Sequence, residues 1–123
     1  MKVSSATHVR WDDLPRERLG DLLERRFITG EHMTLAQFFL ARGCRVTPHS
    51  HTNEQIAHVI QGRLRFALGP DQTEQVEVGS GEVLVIPPGL FHGVEALEDT
   101  VVADAFSPIR QDWLDRRDDY LRR

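Results

Sequence analysis

Between residues 22 and 107 the chain is cut by turn residues at short intervals, and this punctuation constrains the fold more than any other feature. Gly30, Gly43, Gly62, Gly69-Pro70-Asp71, Gly79-Ser80-Gly81 and Pro87-Pro88-Gly89 separate apolar, β-prone segments of four to nine residues. Segments so short suit strands better than helices. Strands are predicted near residues 23–29, 33–41, 45–51, 55–61, 63–68, 74–78, 83–86, 91–96 and 100–106. So many short strands in 123 residues indicate an all-β domain, a sandwich or a small jelly-roll barrel. The length suffices for one core and not for two.

The ends read differently. Residues 1–20 are polar and irregular, and Asp12-Asp13-Leu14-Pro15 suits a short helix or turn. At the other end, Ser107-Pro108 reads as an N-cap followed by proline at the first helical position. Ile109, Trp113 and Tyr120, with Leu114 and Leu121 nearby, form an apolar stripe at roughly helical spacing. The chain therefore divides into an N-terminal segment (1–20), a barrel (21–107) and a C-terminal helix (108–123) packed on the barrel or across a dimer. A solvated tail after residue 115 is the alternative.

Composition excludes several classes of partner. A net charge of −4 gives no electrostatic reason to expect nucleic acid or an anionic membrane. No apolar run reaches the roughly 18 residues of a membrane-crossing helix, and the N-terminus lacks the apolar core of a secretory signal. Cys44 is the single cysteine, so no internal disulfide forms. A cytoplasmic, reducing setting is expected, with a periplasmic one as the alternative, since proteins there can also lack disulfides. Cys44 can be read as a nucleophile or as a small, partly buried side chain beside Gly43. The second reading is favoured, because Arg45 is its only fixed basic neighbour and adjacent strand residues face opposite ways.

The histidines are not scattered. His49 and His51 are two apart on a predicted strand and so face the same side of the sheet. Gln55, four further on, keeps that parity if the strand is regular, while Glu54 has the opposite parity. His92 comes from a later strand that must cross nearby. Two imidazoles from one wall and one from another suit a metal site, since neutral imidazole binds zinc, copper, iron and nickel. A histidine acting as an acid–base catalyst without metal is the alternative. His58 has the opposite parity and lies with Ile56 and Ile60 on an outward face. That apolar outward face predicts a homodimer packed sheet to sheet. His8 and His32 lie outside this pattern and are expected at the surface.

The spacing G-x5-H-x-H-x3-Q from Gly43 to Gln55, continuing to Gly62, and G-x5-P-x-G-x2-H from Gly81 to His92, resembles the two motifs of the cupin superfamily. The resemblance implies a double-stranded β-helix, the cupin jelly-roll barrel, followed here by the short C-terminal helix. It also implies that His49, His51, Gln55 and His92 converge on one divalent transition metal per subunit, with nickel, iron, manganese, cobalt or zinc all compatible. Most metal cupins carry glutamate where Gln55 stands. A neutral amide leaves the ion its full charge, which favours polarising an oxygen over stabilising an oxidised metal. It also weakens binding. Where the second motif usually closes on asparagine, this chain has Ala96.

The run from Ile86 through Thr100, followed by Asp104-Ala105-Phe106-Ser107-Pro108-Ile109-Arg110-Gln111-Asp112-Trp113-Leu114, is similar to a narrower group. These are small single-domain cupins that linearise unsaturated uronates in pectin degradation. The resemblance covers roughly residues 22–114. It implies conversion of a 4,5-unsaturated uronate to an open-chain keto sugar acid. It also implies that Asp104, Phe106 and Arg110 line the pocket. Asp104 suits proton transfer, Arg110 a bidentate grip on a substrate carboxylate, and Phe106 an apolar wall. Plainer roles stay open: Asp104 paired with an arginine, and Arg110 paired with helix carboxylates. Gln37, among Leu35 and Phe39 on one strand face, is a further candidate substrate contact. Two other function classes compete. One is a three-histidine iron dioxygenase, separable by oxygen uptake. The other is a non-catalytic sugar-binding cupin, separable by ligand stabilisation without turnover.

Overall fold

The computed structural model describes residues 6–122. The first five residues of the N-terminal segment and the last residue of the expected helix lie outside the described residues. Among the described residues a 3-10 turn, Trp11–Asp13, precedes ten strands. These are β1 Glu17–Gly20, β2 Leu23–Thr29, β3 Thr34–Leu40, β4 Arg45–His49 and β5 Glu54–Gln61. They continue with β6 Arg63–Leu68, β7 Glu74–Gly79, β8 Val83–Ile86, β9 His92–Ala96 and β10 Thr100–Ser107. One helical turn, α1 Gln111–Leu114, follows.

The strands form two antiparallel sheets, one ordered β1-β2-β3-β10-β5-β8 and the other β4-β9-β6-β7. β3, β5, β6 and β10 alternate inward, buried residues with more exposed outward ones, as a sheet with one buried face requires. In β10 the inward residues are Thr100, Val102, Asp104 and Phe106, all buried. Phe38, Leu40, Val59, Leu64, Phe66 and Val102 fill the space between the sheets. Burying each such side chain contributes about 1.5–3 kcal/mol. Toward the Phe106 end of β10 the inward face turns polar. Phe106 is in register with Gln55 on one side and Thr34 on the other.

Gly62 carries the chain from β5 in one sheet to β6 in the other. Its φ of +99° is left-handed, and a Cβ there would collide with the Asp99 carbonyl and with Thr100. Only glycine makes that crossing without strain.

Three expectations change. The segment before the barrel is not wholly irregular, since β1 adds an edge strand to the larger sheet. It is polar because only Leu19 is buried, and ion pairs hold it: Arg25 to Glu17 at 3.0 Å and Arg16 to Glu24 at 2.6 Å. The strand expected over 45–51 ends at His49. The C-terminal helix expected over 108–123 is a single turn. Ser107 is the last residue of β10 rather than an N-cap, and its hydroxyl meets the His32 carbonyl at 3.4 Å. The Pro108 and Ile109 carbonyls accept from the Asn53 amide at 2.6 and 3.1 Å. At the other end Arg116, at a left-handed φ of +55°, stops the helix after one turn. After Asp115 the chain continues as a non-helical strap. Leu114 is 48% exposed, whereas Trp113 and Leu121 are buried, so only part of the expected stripe faces the barrel.

Candidate metal centre

His49 and His92 lie on neighbouring strands and are direct partners in the β4–β9 register. His51 follows on the loop leading to β5. The two-residue spacing therefore unites the histidines through a strand and the loop after it. Gln55 then arrives from the opposite sheet. The ring centroids are 4.5 Å apart for His49–His92, 5.1 Å for His51–His92 and 5.7 Å for His49–His51. One ring nitrogen from each histidine lies within 4.8 Å of the others.

Each imidazole is oriented by the main chain. Nδ1 of His49 donates to the Thr47 carbonyl at 2.8 Å, Nδ1 of His92 to the Leu90 carbonyl at 2.8 Å, and Nδ1 of His51 to the Asn53 carbonyl at 3.1 Å. A carbonyl can only accept, so Nδ1 carries the proton and Nε2 keeps its lone pair. Burial pushes His49 and His51 down to about 4. Burial lowers His92 as well. All three are neutral at pH 7, the form a metal requires.

Two further contacts bind the motifs together. Gly89, at a left-handed φ of +78°, donates its N–H to the His51 carbonyl at 2.8 Å. Buried Asn53 ties the His51 loop to the Pro108 and Ile109 carbonyls. Asn53 was missed from sequence because its partners lie more than fifty residues away.

On the facing sheet, Gln55 sits between the histidines and a carboxylate. Its Oε1 is 3.1 Å from His51 Nε2, and its Nε2 donates to Asp104 Oδ1 at 3.1 Å. With His51 protonated at Nδ1, the first contact sets two lone pairs against each other with no proton between. A shared cation resolves that arrangement, so the donor set fits a metal ion. Glu54 is exposed on the outer face, as its parity required. Asp104 is 6% exposed. Burial pushes its carboxyl up to about 7, against the pull of the Gln55 bond and the Arg110 charge. Phe106 stands beside His51 with ring centroids 5.7 Å apart.

Arg110 lines the same cavity but is not a free fork. Only 2% exposed, it binds Asp112 through Nε at 3.0 Å and Nη2 at 2.8 Å. Its guanidinium lies 4.6 Å from the Phe106 ring centre and 4.4 Å from that of Trp113. The helix-carboxylate pairing left open by the sequence is thus present. Nη2 also donates to the Tyr120 hydroxyl, whose ring lies 4.6 Å from that of His49. Tyr120 and Trp113 read from sequence as helix-stripe residues, yet both line the cavity.

Gln37 does not reach the site. Its side chain is on the outer face of β3 and accepts from Arg26 Nε at 2.8 Å, so the expected substrate contact is withdrawn. Inward parity belongs to Ala36 and Phe38. His58 is exposed on the outer face, and Cys44 is buried, as its plainer reading required. His8 and His32 are exposed.

Residues 37–106 match the family described as Cupin domain. The chain is a cupin. This cupin is similar to the pectin degradation protein KdgF of Dickeya dadantii, with 33% identity over 106 residues, 84% of this chain and 94% of that one. It is also similar to the solved structure of KdgF from Halomonas sp.. That likeness has a TM-score of 0.75 at 30% identity, over 83% of this chain and 94% of the other. An RmlC-like cupin from Shewanella frigidimarina superposes with a TM-score of 0.79 at 20% identity, over 89% and 96% of the two chains, a likeness of fold.

Proposed function

We propose that this cupin is a metal-dependent enzyme that opens the ring of a 4,5-unsaturated uronate, giving the open-chain keto acid. The observation that carries the reading is the pairing of three neutral imidazoles with a buried carboxyl across Gln55. His49, His51 and His92, with Gln55 Oε1 as a fourth donor, would hold a divalent cation. When bound, that ion supplies Lewis acidity toward a hydroxyl or carbonyl oxygen.

The chain's own residues supply the rest. Ring opening takes a proton from the anomeric hydroxyl and delivers one to the former vinylic carbon. Asp104, poised near neutrality by burial, can accept a proton and return it. Gln55 fixes the carboxylate by donating to Oδ1 and so sets its direction. Phe106 excludes water on one side, and Arg110 places a positive charge beside the acidic substrate. Similarity to KdgF supports a substrate of this class. The test is proton NMR of metal-loaded protein with 4,5-unsaturated galacturonate, following the vinylic signal. Loss above the spontaneous rate, abolished by a chelator, is expected. No acceleration sinks the reading, and oxygen uptake would then point to a dioxygenase.

A second copy as partner belongs to the same proposal. Val85, Ile56, Ala105, Leu35 and Ile28 form one register row across five strands of the larger sheet's outer face. Val85 is 56% exposed, Leu35 43% and Ile56 41%. Such a contiguous apolar row favours burial against another sheet. Sedimentation of the protein beside Ile56→Lys tests it: a dimer that dissociates in the variant is expected, and a monomeric parent overturns it.

A further inference from the structure

The cavity beside the histidines has a volume of about 50 Å³. That admits a few waters, whereas ligand pockets run to roughly 300–1,000 Å³. A sugar acid does not fit, so something lining the cavity must move. Most of the lining is barrel strand, with β10 alone hydrogen-bonded to both β3 and β5. The strap after α1 is different, because no sheet holds it. It contributes Tyr120 and Leu121 to the lining.

Tyr120 sits where two needs of the substrate coincide. Its ring lies against His49. Its hydroxyl accepts from Arg110 Nη2 and from Trp113 Nε1, and donates to Asp112 Oδ2 at 3.3 Å. Nη2 has two protons, one given to Asp112 and one to Tyr120. A carboxylate therefore gains the Nη1–Nη2 end of Arg110 only when the tyrosine leaves.

A separate latch holds the strap down. Arg25 pairs with Asp118 at 2.9 Å and Glu17 at 3.0 Å, while Arg122 pairs with Asp118 at 3.1 Å and Glu17 at 3.3 Å. These four side chains close a ring of alternating charge between β1, β2 and the strap. Arg25 is 1% exposed and Asp118 fully buried. The latch involves neither a histidine nor Asp104.

We propose that the strap of residues 115–122 is a movable cover, and that Tyr120 is a specificity-determining residue whose hydroxyl holds the Arg110 position taken by the substrate carboxylate. The carboxylate displaces the phenol, so acidic sugars open the cover and neutral sugars do not. This rests on the sugar-acid reading of the site.

Hydrogen exchange and kinetics together test it. In the metal-loaded protein, amides of residues 116–122 are expected to exchange at least about tenfold faster than those of β10, and faster again with 4,5-unsaturated galacturonate but not with galactose. Arg122→Gln, which loosens the latch away from the site, should speed strap exchange roughly tenfold and leave β10 unchanged. Tyr120→Phe keeps the ring and frees Arg110, so KM for the unsaturated acid should fall about fivefold. A merely structural tyrosine would not lower KM. Strap amides as slow as β10 in both the parent and Arg122→Gln, or a KM unchanged or raised in Tyr120→Phe, overturn the proposal. Absence of turnover in the parent is the failure of the functional reading instead. The exchange rates still decide whether the strap is a cover.

Discussion

The four-stranded sheet and the six-stranded sheet equip the same cavity by opposite means. From the smaller sheet come His49 and His92, cross-strand partners that use one device: each Nδ1 donates to the carbonyl two residues earlier. From the larger sheet come Gln55, Asp104 and Phe106, the first two joined across strands by a bond spanning 49 residues of sequence. The histidine half is encoded locally, and the carboxyl half exists only once the barrel has closed. Local encoding makes the metal seat robust, while burial across the sheet gives the carboxyl its unusual affinity for a proton.

Four experiments separate the halves. The largest effect is expected from His92→Ala, which should lower metal affinity by about 100-fold or more and abolish turnover. Metal titration with circular dichroism checks that the β-fold survives. Asp104→Asn should do the reverse, retaining metal while turnover drops about 10²–10⁴-fold. If metal is lost with it, the two halves are one unit. Acidification gives a graded version. Asp104 is a carboxyl raised to about 7, so the base form is lost as pH falls through that value. His49 and His51 are lowered to about 4 and stay neutral until far more acid pH. Turnover should therefore fail on acidification before metal is released, as parallel rate and metal-content profiles would show. A bound dication moves the Asp104 limb lower without changing its sign. Gln55→Glu, at the seam, should show the smallest effect: tighter metal binding with turnover reduced about tenfold. Unchanged affinity would remove Gln55 from the ligand set.

The same division explains what was legible in the sequence. Turn residues delimit strands locally, and β6 and β8 have the expected boundaries. The histidine spacing was legible for the same reason, although His51 sits beyond the strand that was to carry it. Asp104 and Phe106 share parity with Val102 and lie on the buried face of β10, whereas the face that Gln37 shares with Leu35 and Phe39 is the outer one. Alternation says which residues share a face and not which face looks inward. β1 went unseen because Leu19 is its one buried apolar residue, too little to make an alternating pattern. Tyr120 and Asn53 were hidden by distance, for both act through contacts made only when the C-terminal segment folds back.

The main-chain bonds behind the imidazoles carry an evolutionary consequence. Because the carbonyls of Thr47 and Leu90 set the tautomers of His49 and His92, the side chains of those two residues are not what orients the ligands. Drift at such positions leaves the seat intact so long as the backbone keeps its path. A lineage starting from this chain can therefore exchange Asp104 or the strap for groups suited to another substrate while inheriting the same three-histidine place for the ion.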